Sequence, residues 1–188
     1  MRASKHELIA ALRVHQSAGL IERRMQFATL RFVEAEDHPF SPNNPAGHVT
    51  ASPWVLSPDG GFALLTHHAK LDAWFQLGGH LDDDASVSDA ALREAREESG
   101  LLSLCPAGGA IFDIDVHIIP ARGTMPNHPH HDIRYLFQAD PSEQLVPTTE
   151  TRALRWVALD EVVALNASES IQRMVRKSRQ LMSSNVTE

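Results

Sequence analysis

The sequence predicts an α/β domain, a mixed sheet sandwiched between helices, with a helical hairpin ahead of it. Three observations carry this prediction. Apolar residues recur at helical spacing over about the first 35 residues. From His48 the period switches to two, in short runs bounded by Pro and Gly. Between two groups of such runs, Gly78 to Leu101 reads GGHLDDDASVSDAALREAREESGL, a glycine loop feeding an amphipathic helix. Strands, a helix, more strands and closing helices in this order fit a layered α/β arrangement.

Each element has its own signal. Ser4 and Glu7 are spaced as a capping box, and Leu8, Ala11, Leu12 and His15 line one face of the helix that follows, with Gly19 expected to end it. Ile21, Met25, Ala28 and Phe32 repeat at helical spacing and predict the second arm. Pro39, Pro42 and Pro45 mark a loop, so residues 1–46 read as a helical extension and 47–188 as the main domain with its C-terminal helix. The extension is expected to pack on that domain, with a substrate lid or a dimer contact as alternatives. Val49–Leu56 reads as a strand in which Pro53 suggests an edge or bulge. Pro58-Asp59-Gly60 is a turn, Gly61–His68 the returning strand and Ala73–Leu77 a short third one. Ala110–Ile119 alternates, with Asp113, Asp115 and His117 on the face opposite Phe112, Ile114, Val116 and Ile118. Pro120–Pro129 reads as a loop leading into a strand over His131–Ala139. Thr151–Leu159 is a last strand with Trp156 as its anchor, Asp160 can cap a short helix, and Ser168–Met182 is helical.

Composition narrows the function classes. Of 188 residues, 43% are hydrophobic and 22% charged, as in globular domains. A formal net charge of −7 argues against an extended nucleic-acid surface, which needs a basic face. A single cysteine, Cys105, forms no internal disulfide and fits a reducing compartment. No apolar run approaches the roughly 20 residues of a membrane span, and Glu7 interrupts any leader-like N-terminus, so the expected location is cytoplasmic.

The helix after the glycine loop carries the chemistry. Ser86 and Asp89 are spaced as a capping box with a shortened acid, Asp82, Asp83, Asp84 and Asp89 sit at the positive end of the helix dipole, and Gly100 is the stop. Glu94, Glu97 and Glu98 lie three and four residues apart, on one side of the helix. Glu98 borders the apolar stripe of Val87, Ala91 and Ala95. A half-buried carboxylate beside two others is costly without a cation. The plain alternative is a solvated acidic face with Arg93 and Arg96 as partners.

This stretch resembles the Nudix hydrolase signature, G-x5-E-x7-R-E-U-x-E-E-x-G-U, with U aliphatic. Gly79, Arg93, Glu94, Glu97, Glu98, Gly100 and Leu101 occupy their places, and Ala95 is a small U. Ala85 stands where the first glutamate belongs. In the family that glutamate mainly braces the loop and helix, so the departure bears on rigidity and full activity more than on metal binding. The segments GHVTASPWVL, LLTHHAKLDAWFQLGGH and HIIPARGTMPNHPHHDIRYLFQA resemble a histidine-rich Nudix subgroup.

The resemblance implies a metal-dependent hydrolase that cleaves a phosphoanhydride in a nucleoside diphosphate linked to another moiety. A small-molecule nucleotide is then the substrate, and a homodimer is an open expectation because many members dimerise. Glu94, Glu97 and Glu98 are the expected ligands of Mg²⁺ or Mn²⁺, hard ions that prefer oxygen. Glu98, Glu97 or the loop residue Glu150 would take the proton of the attacking water, with Glu143 as the rival loop carboxylate. Arg93 and Gly100 would support the site, and Gly79, His80, His67, Lys70, Trp74, Gln76 and His130 would line the substrate. Two further readings stay open: a slow or nucleotide-sensing binding module, motivated by Ala85, and an isomerase of diphosphate substrates. For the eleven histidines three roles compete: donors to phosphate or sugar, ligands of a transition metal such as Zn²⁺, Ni²⁺ or Fe, and ordinary surface residues.

Overall fold

A computed structural model describes residues 3–69, 72–148 and 151–185. The elements are α1 (Lys5–Val14), α2 (Leu20–Ala35), β1 (His48–Leu56), β2 (Phe62–His68), β3 (Ala73–Phe75), β4 (Gly79–His80), α3 (Val87–Ser99), β5 (Cys105–Pro106), β6 (Asp113–Ile119), β7 (His128–Gln138), β8 (Thr151–Ala158), α4 (Val162–Leu165) and α5 (Glu169–Asn185). They fall into two compact units. One comprises the described residues of Met1–Ser52, Gly78–Ala91 and Gly109–Tyr135; the other comprises those of Pro53–Leu77, Leu92–Gly108 and Leu136–Glu188. No helix among the described residues is long and apolar enough to cross a membrane.

In the first unit, β4 pairs with the start of β1 (Thr50↔His80, Ala51↔Gly79), and β6 pairs with β7 from Asp113↔Arg134 to Ile119↔His128, both antiparallel. Helix α1 packs on α2, and α2 packs on β6. Two details of the hairpin differ from the sequence expectation. Gly19 opens α2 as its N-cap instead of closing α1, which stops at Val14. The residues of α2 that are buried are Glu22, Thr29 and Val33, while Ile21 is 47% exposed. Polar anchoring explains the rotation. The Glu22 carboxylate meets His15 Nε2 at 2.8 Å and accepts the Ala18 N–H at 2.6 Å. A carboxylate buried with these partners fixes the face that an apolar count alone assigns elsewhere.

In the second unit, β2 is central. It pairs antiparallel with β3, with β8 from Phe62↔Ala158 to His68↔Thr151, and with the end of β1 at Leu56↔Ala63. β5 pairs with the end of β7. Pro53 falls between the two stretches of β1 that pair with β4 and with β2. The fully buried tryptophan is Trp54, whose indole N–H donates to Ser178 Oγ at 2.9 Å. Trp156, the expected anchor, is only half-buried and its indole nitrogen has no partner. Ile171, Met174, Val175 and Ser178 of α5 are buried, as their spacing predicts. Asp160 does not cap α4: it pairs with Arg179, and Glu161 is the cap residue.

Candidate active site

Helix α3 forms as its sequence dictates. The Ser86 hydroxyl accepts the Asp89 N–H at 3.0 Å, as an N-cap side chain does, and donates to the Asp89 carboxylate at 2.8 Å. Gly100 ends the helix at φ +73°, its N–H bonded to the Arg96 carbonyl at 2.8 Å. At the entry, Gly78 has φ +151°, and a Cβ there would lie 2.3 Å from Ser52 Oγ and 2.9 Å from the Ala51 carbonyl. Only glycine fits such a position. Val87, Ala90, Ala91 and Ala95 are buried, and Glu98 at the border of that stripe is half-buried.

The acidic face already holds a cation. Arg93 Nη1 donates to Glu94 Oε1 at 2.8 Å and to Glu97 Oε2 at 3.0 Å. The Glu94 side chain is 14% exposed and that of Glu97 59%. Arg93, expected to brace loop and helix, thus contacts two of the expected ligands. A monocation bridging two carboxylates is what a helix face with three clustered acids requires. Three carboxylates are also a hard donor set suited to Mg²⁺ or Mn²⁺.

The remaining expected residues fall in both units or outside the described residues. Lys70 and Glu150 lie outside the described residues. Glu143 is occupied: its carboxylate accepts the Leu102 and Ser103 N–H groups at 2.9 and 3.1 Å and the Ser103 hydroxyl at 2.5 Å. These bonds, the hydroxyl first, hold its pKa below the usual carboxylate range, which suits a loop brace better than a base. In the second unit, Trp74 is half-buried, with the Arg155 guanidinium 5.0 Å over its ring, the His67 ring 5.0 Å away and its carbonyl accepting from Asn166. Gln76, two residues on, is half-buried. In the first unit, Gly79 and His80 form the short strand β4, and His130 sits in β7.

The sequence reading missed a buried polar face in the first unit. Strand β7 begins at His128, three residues before its expected start, so His128, His130, Asp132 and Arg134 alternate onto one face. The register sets Asp113 beside Arg134, Asp115 beside Asp132 and His117 beside His130. Arg134 contacts Asp132 at 2.8 Å, Asp113 at 3.1 Å and Asp115 at 3.4 Å. Burial alone would lower the Arg134 pKa; Asp132, Asp113 and Asp115 outweigh it and raise it further. Thr50 and Ser52 of β1 donate to Asp132 Oδ1 at 3.1 and 2.7 Å. The polar side of β6 is therefore buried at Asp113 and Asp115, while apolar Ile118 is 62% exposed. The alternations H-x-T-x-S at 48–52, D-x-D-x-H at 113–117 and H-x-H-x-D-x-R at 128–134 were the available signal.

At the other end of this face the histidines gather. The His48 ring lies 4.3 Å from His130, 5.0 Å from His80 and 5.1 Å from His128. His117 lies 5.6 Å from His130 and has its Nδ1 3.3 Å from Asp115. Burial, then the neighbouring imidazoles, pushes the His48 pKa down to about 4 and that of His130 to about 3. Burial likewise lowers His80, against an opposing pull from Asp82. His131 points the other way, stacked 4.2 Å from Phe32 with Nδ1 3.1 Å from Thr29 Oγ1, and burial takes it to about 4.

The model of the NUDIX domain matches residues 46–177. The chain belongs to the Nudix family. Nudix hydrolases are pyrophosphohydrolases of nucleoside diphosphate derivatives and generally use divalent metals. Among solved Nudix structures, a C. elegans Ap4A hydrolase in a binary complex is 17% identical with a TM-score of 0.56, covering 72% of this chain and 98% of that one. A NUDIX-family hydrolase from Clostridium perfringens is 22% identical at 0.54, covering 71% and 97%. The E. coli dihydroneopterin triphosphate pyrophosphohydrolase is 18% identical at 0.52, covering 71% and 94%. At these identities the likeness establishes the Nudix α/β fold with its mixed sheet, as the element order predicts. No curated protein matches the chain.

Proposed function

We propose that this Nudix chain is a Mg²⁺- or Mn²⁺-dependent hydrolase that cleaves the phosphoanhydride of a nucleoside diphosphate linked to another moiety. The observation that carries the reading is the bridging of Glu94 and Glu97 by Arg93 on a helix that opens from a glycine loop. That face calls for positive charge, and Glu94, Glu97 and Glu98 supply the hard oxygens that would hold the ion. When bound, the ion offsets the diphosphate charge and acidifies its water. Glu98, at the edge of the buried stripe, holds a proton-accepting carboxylate where burial restrains its rotamers. Trp74 and Gln76 are the candidate contacts for the organic moiety. The Ap4A and dihydroneopterin triphosphate enzymes among the fold neighbours motivate two substrate classes for the first screen: dinucleoside polyphosphates and pterin or nucleoside triphosphates.

The test is a phosphate-release screen over nucleotide derivatives with Mg²⁺ and with Mn²⁺, followed by Glu98→Gln on the best substrate. Loss of the carboxylate should lower kcat by roughly 10²–10⁴-fold, the range for a positioned acid–base group, with circular dichroism unchanged. Undiminished turnover in that variant removes the mechanism. A second reading, a nucleotide sensor that turns over slowly, is favoured by Ala85. It predicts tight nucleotide binding by calorimetry with little product.

A further inference from the structure

The histidine end of the polar face has chemistry that the carboxylate helix does not use. His48, His128 and His130 each offer a ring nitrogen, and those atoms lie within 4.8 Å of one another. They form the one such group of three potential metal ligands among the described residues. His48 is 1% exposed, and neither of its ring nitrogens has a hydrogen-bond partner. A buried imidazole with both nitrogens unsatisfied is uncommon, because each such group forfeits its hydration without recompense. A ligand that accepts the lone pair removes the acceptor nitrogen's share of that cost.

The other two residues are set for the same task. His128 Nδ1 lies 2.8 Å from the Pro126 carbonyl. A carbonyl only accepts, so that nitrogen carries the proton and Nε2 keeps its lone pair. This is how metal-bound histidines are oriented: the outer nitrogen donates to a backbone carbonyl or carboxylate, fixing tautomer and ring angle. His128 and His130 are two apart in β7 and project from one face, while His48 comes from β1. Strands hold ligands more rigidly than loops do.

We propose that His48, His128 and His130 form a binding site for a divalent first-row transition ion, with Zn²⁺ as the reference occupant, separate from the glutamates of α3. Three neutral imidazoles are borderline donors that favour Zn²⁺, Ni²⁺ or Cu²⁺ over Mg²⁺. Zn–N bonds of about 2.0–2.1 Å in a tetrahedron place ligand nitrogens about 3.3 Å apart. The present nitrogens, within 4.8 Å of one another, would draw closer on binding. The fourth position is left for solvent or for His80, whose ring lies 5.0 Å from His48 and 5.5 Å from His130. The proposal stands on these residues alone and survives if the hydrolase reading fails.

The experiment uses the full chain, stripped with chelator and titrated with Co²⁺, a spectroscopic stand-in for Zn²⁺, in millimolar Mg²⁺. We expect one equivalent bound, a visible d–d band of a low-coordinate nitrogen site, and displacement by Zn²⁺ but not by Mg²⁺. His48 is core, so the ligand variant is placed at half-buried His130. His130→Gln should weaken Co²⁺ by more than the 10–100-fold typical of losing an outer-shell partner, while Glu98→Gln leaves the affinity unchanged. Three results overturn the site: no stoichiometric uptake by the wild-type chain, unchanged uptake in His130→Gln, or uptake that Mg²⁺ competes away and Glu98→Gln abolishes.

Discussion

Arg134→Met tests whether the buried face is an electrostatic unit. Arg134 is 2% exposed and reaches Asp132, Asp113 and Asp115 at 2.8, 3.1 and 3.4 Å, and all three acids are buried. Methionine keeps much of the volume and removes the charge. Asp132 retains two hydroxyl donors, Thr50 and Ser52, but Asp113 loses the guanidinium that meets its Oδ2. Deleting one partner of a buried ion pair typically costs about 3–5 kcal/mol, because the other charge stays desolvated. Against a total stability of roughly 5–15 kcal/mol, that takes the variant close to its limit. With a urea slope of about 2 kcal/mol/M the midpoint should fall by about 2 M. Urea melts followed by circular dichroism and tryptophan fluorescence read this directly. Adding Asp113→Asn and Asp132→Asn to Arg134→Met should recover a large part of the loss, since two of the three stranded charges are gone and only Asp115 remains. Arg134→Lys, with a point charge and no fork, should fall between. A cost below about 1 kcal/mol, the value of an exposed pair, would refute the reasoning, as would a triple variant no more stable than Arg134→Met alone.

Three other outcomes follow from the same coordinates. Ala85→Glu restores the missing acid of the signature and should raise the Mg²⁺-dependent kcat/KM by roughly tenfold, about 1.4 kcal/mol at the transition state; an unchanged value in steady-state kinetics means that Ala85 is tolerated. In chelator-stripped protein, His48 and His131 stay neutral down to about pH 4 in the fold, whereas the unfolded chain protonates them near pH 6.5. Their full contribution to stability is thus present above pH 6.5 and is lost as pH falls from there towards 4, by roughly 1–3 kcal/mol per unit; a flat melting temperature between pH 7 and 5 contradicts this. Gly78→Ala forces a Cβ within 2.3 Å of Ser52 Oγ at φ +151° and should cost about 1–3 kcal/mol in chemical denaturation, where a neutral result would show that the glycine loop relaxes freely.

Sequence periodicity made the signature helix readable and the buried polar face unreadable, for one reason. In α3 the polar and apolar residues follow the rule that charge faces water, so Ala91, Ala95 and Glu98 sit where their 100° spacing places them. In β6 the same rule fails. Asp113, Ile114 and Asp115 are buried together, so alternation gives the faces but not which face is wet. The missing information was one residue on another strand: Arg134 makes the aspartate side of β6 a place to bury. Glu22 in α2 breaks the same rule at short range, since His15 and the Ala18 amide, seven and four residues before it, accompany its burial. The strand start at His128 follows similarly, because Pro129 in a Pro-rich run signals a loop, yet seven paired positions with β6 extend the ladder through it. Wherever a polar residue's partner is distant in sequence, pattern reading places it on the surface. Buried polar clusters assembled from several strands are therefore where a structure adds most, and the unpartnered His48 is where this one adds a site.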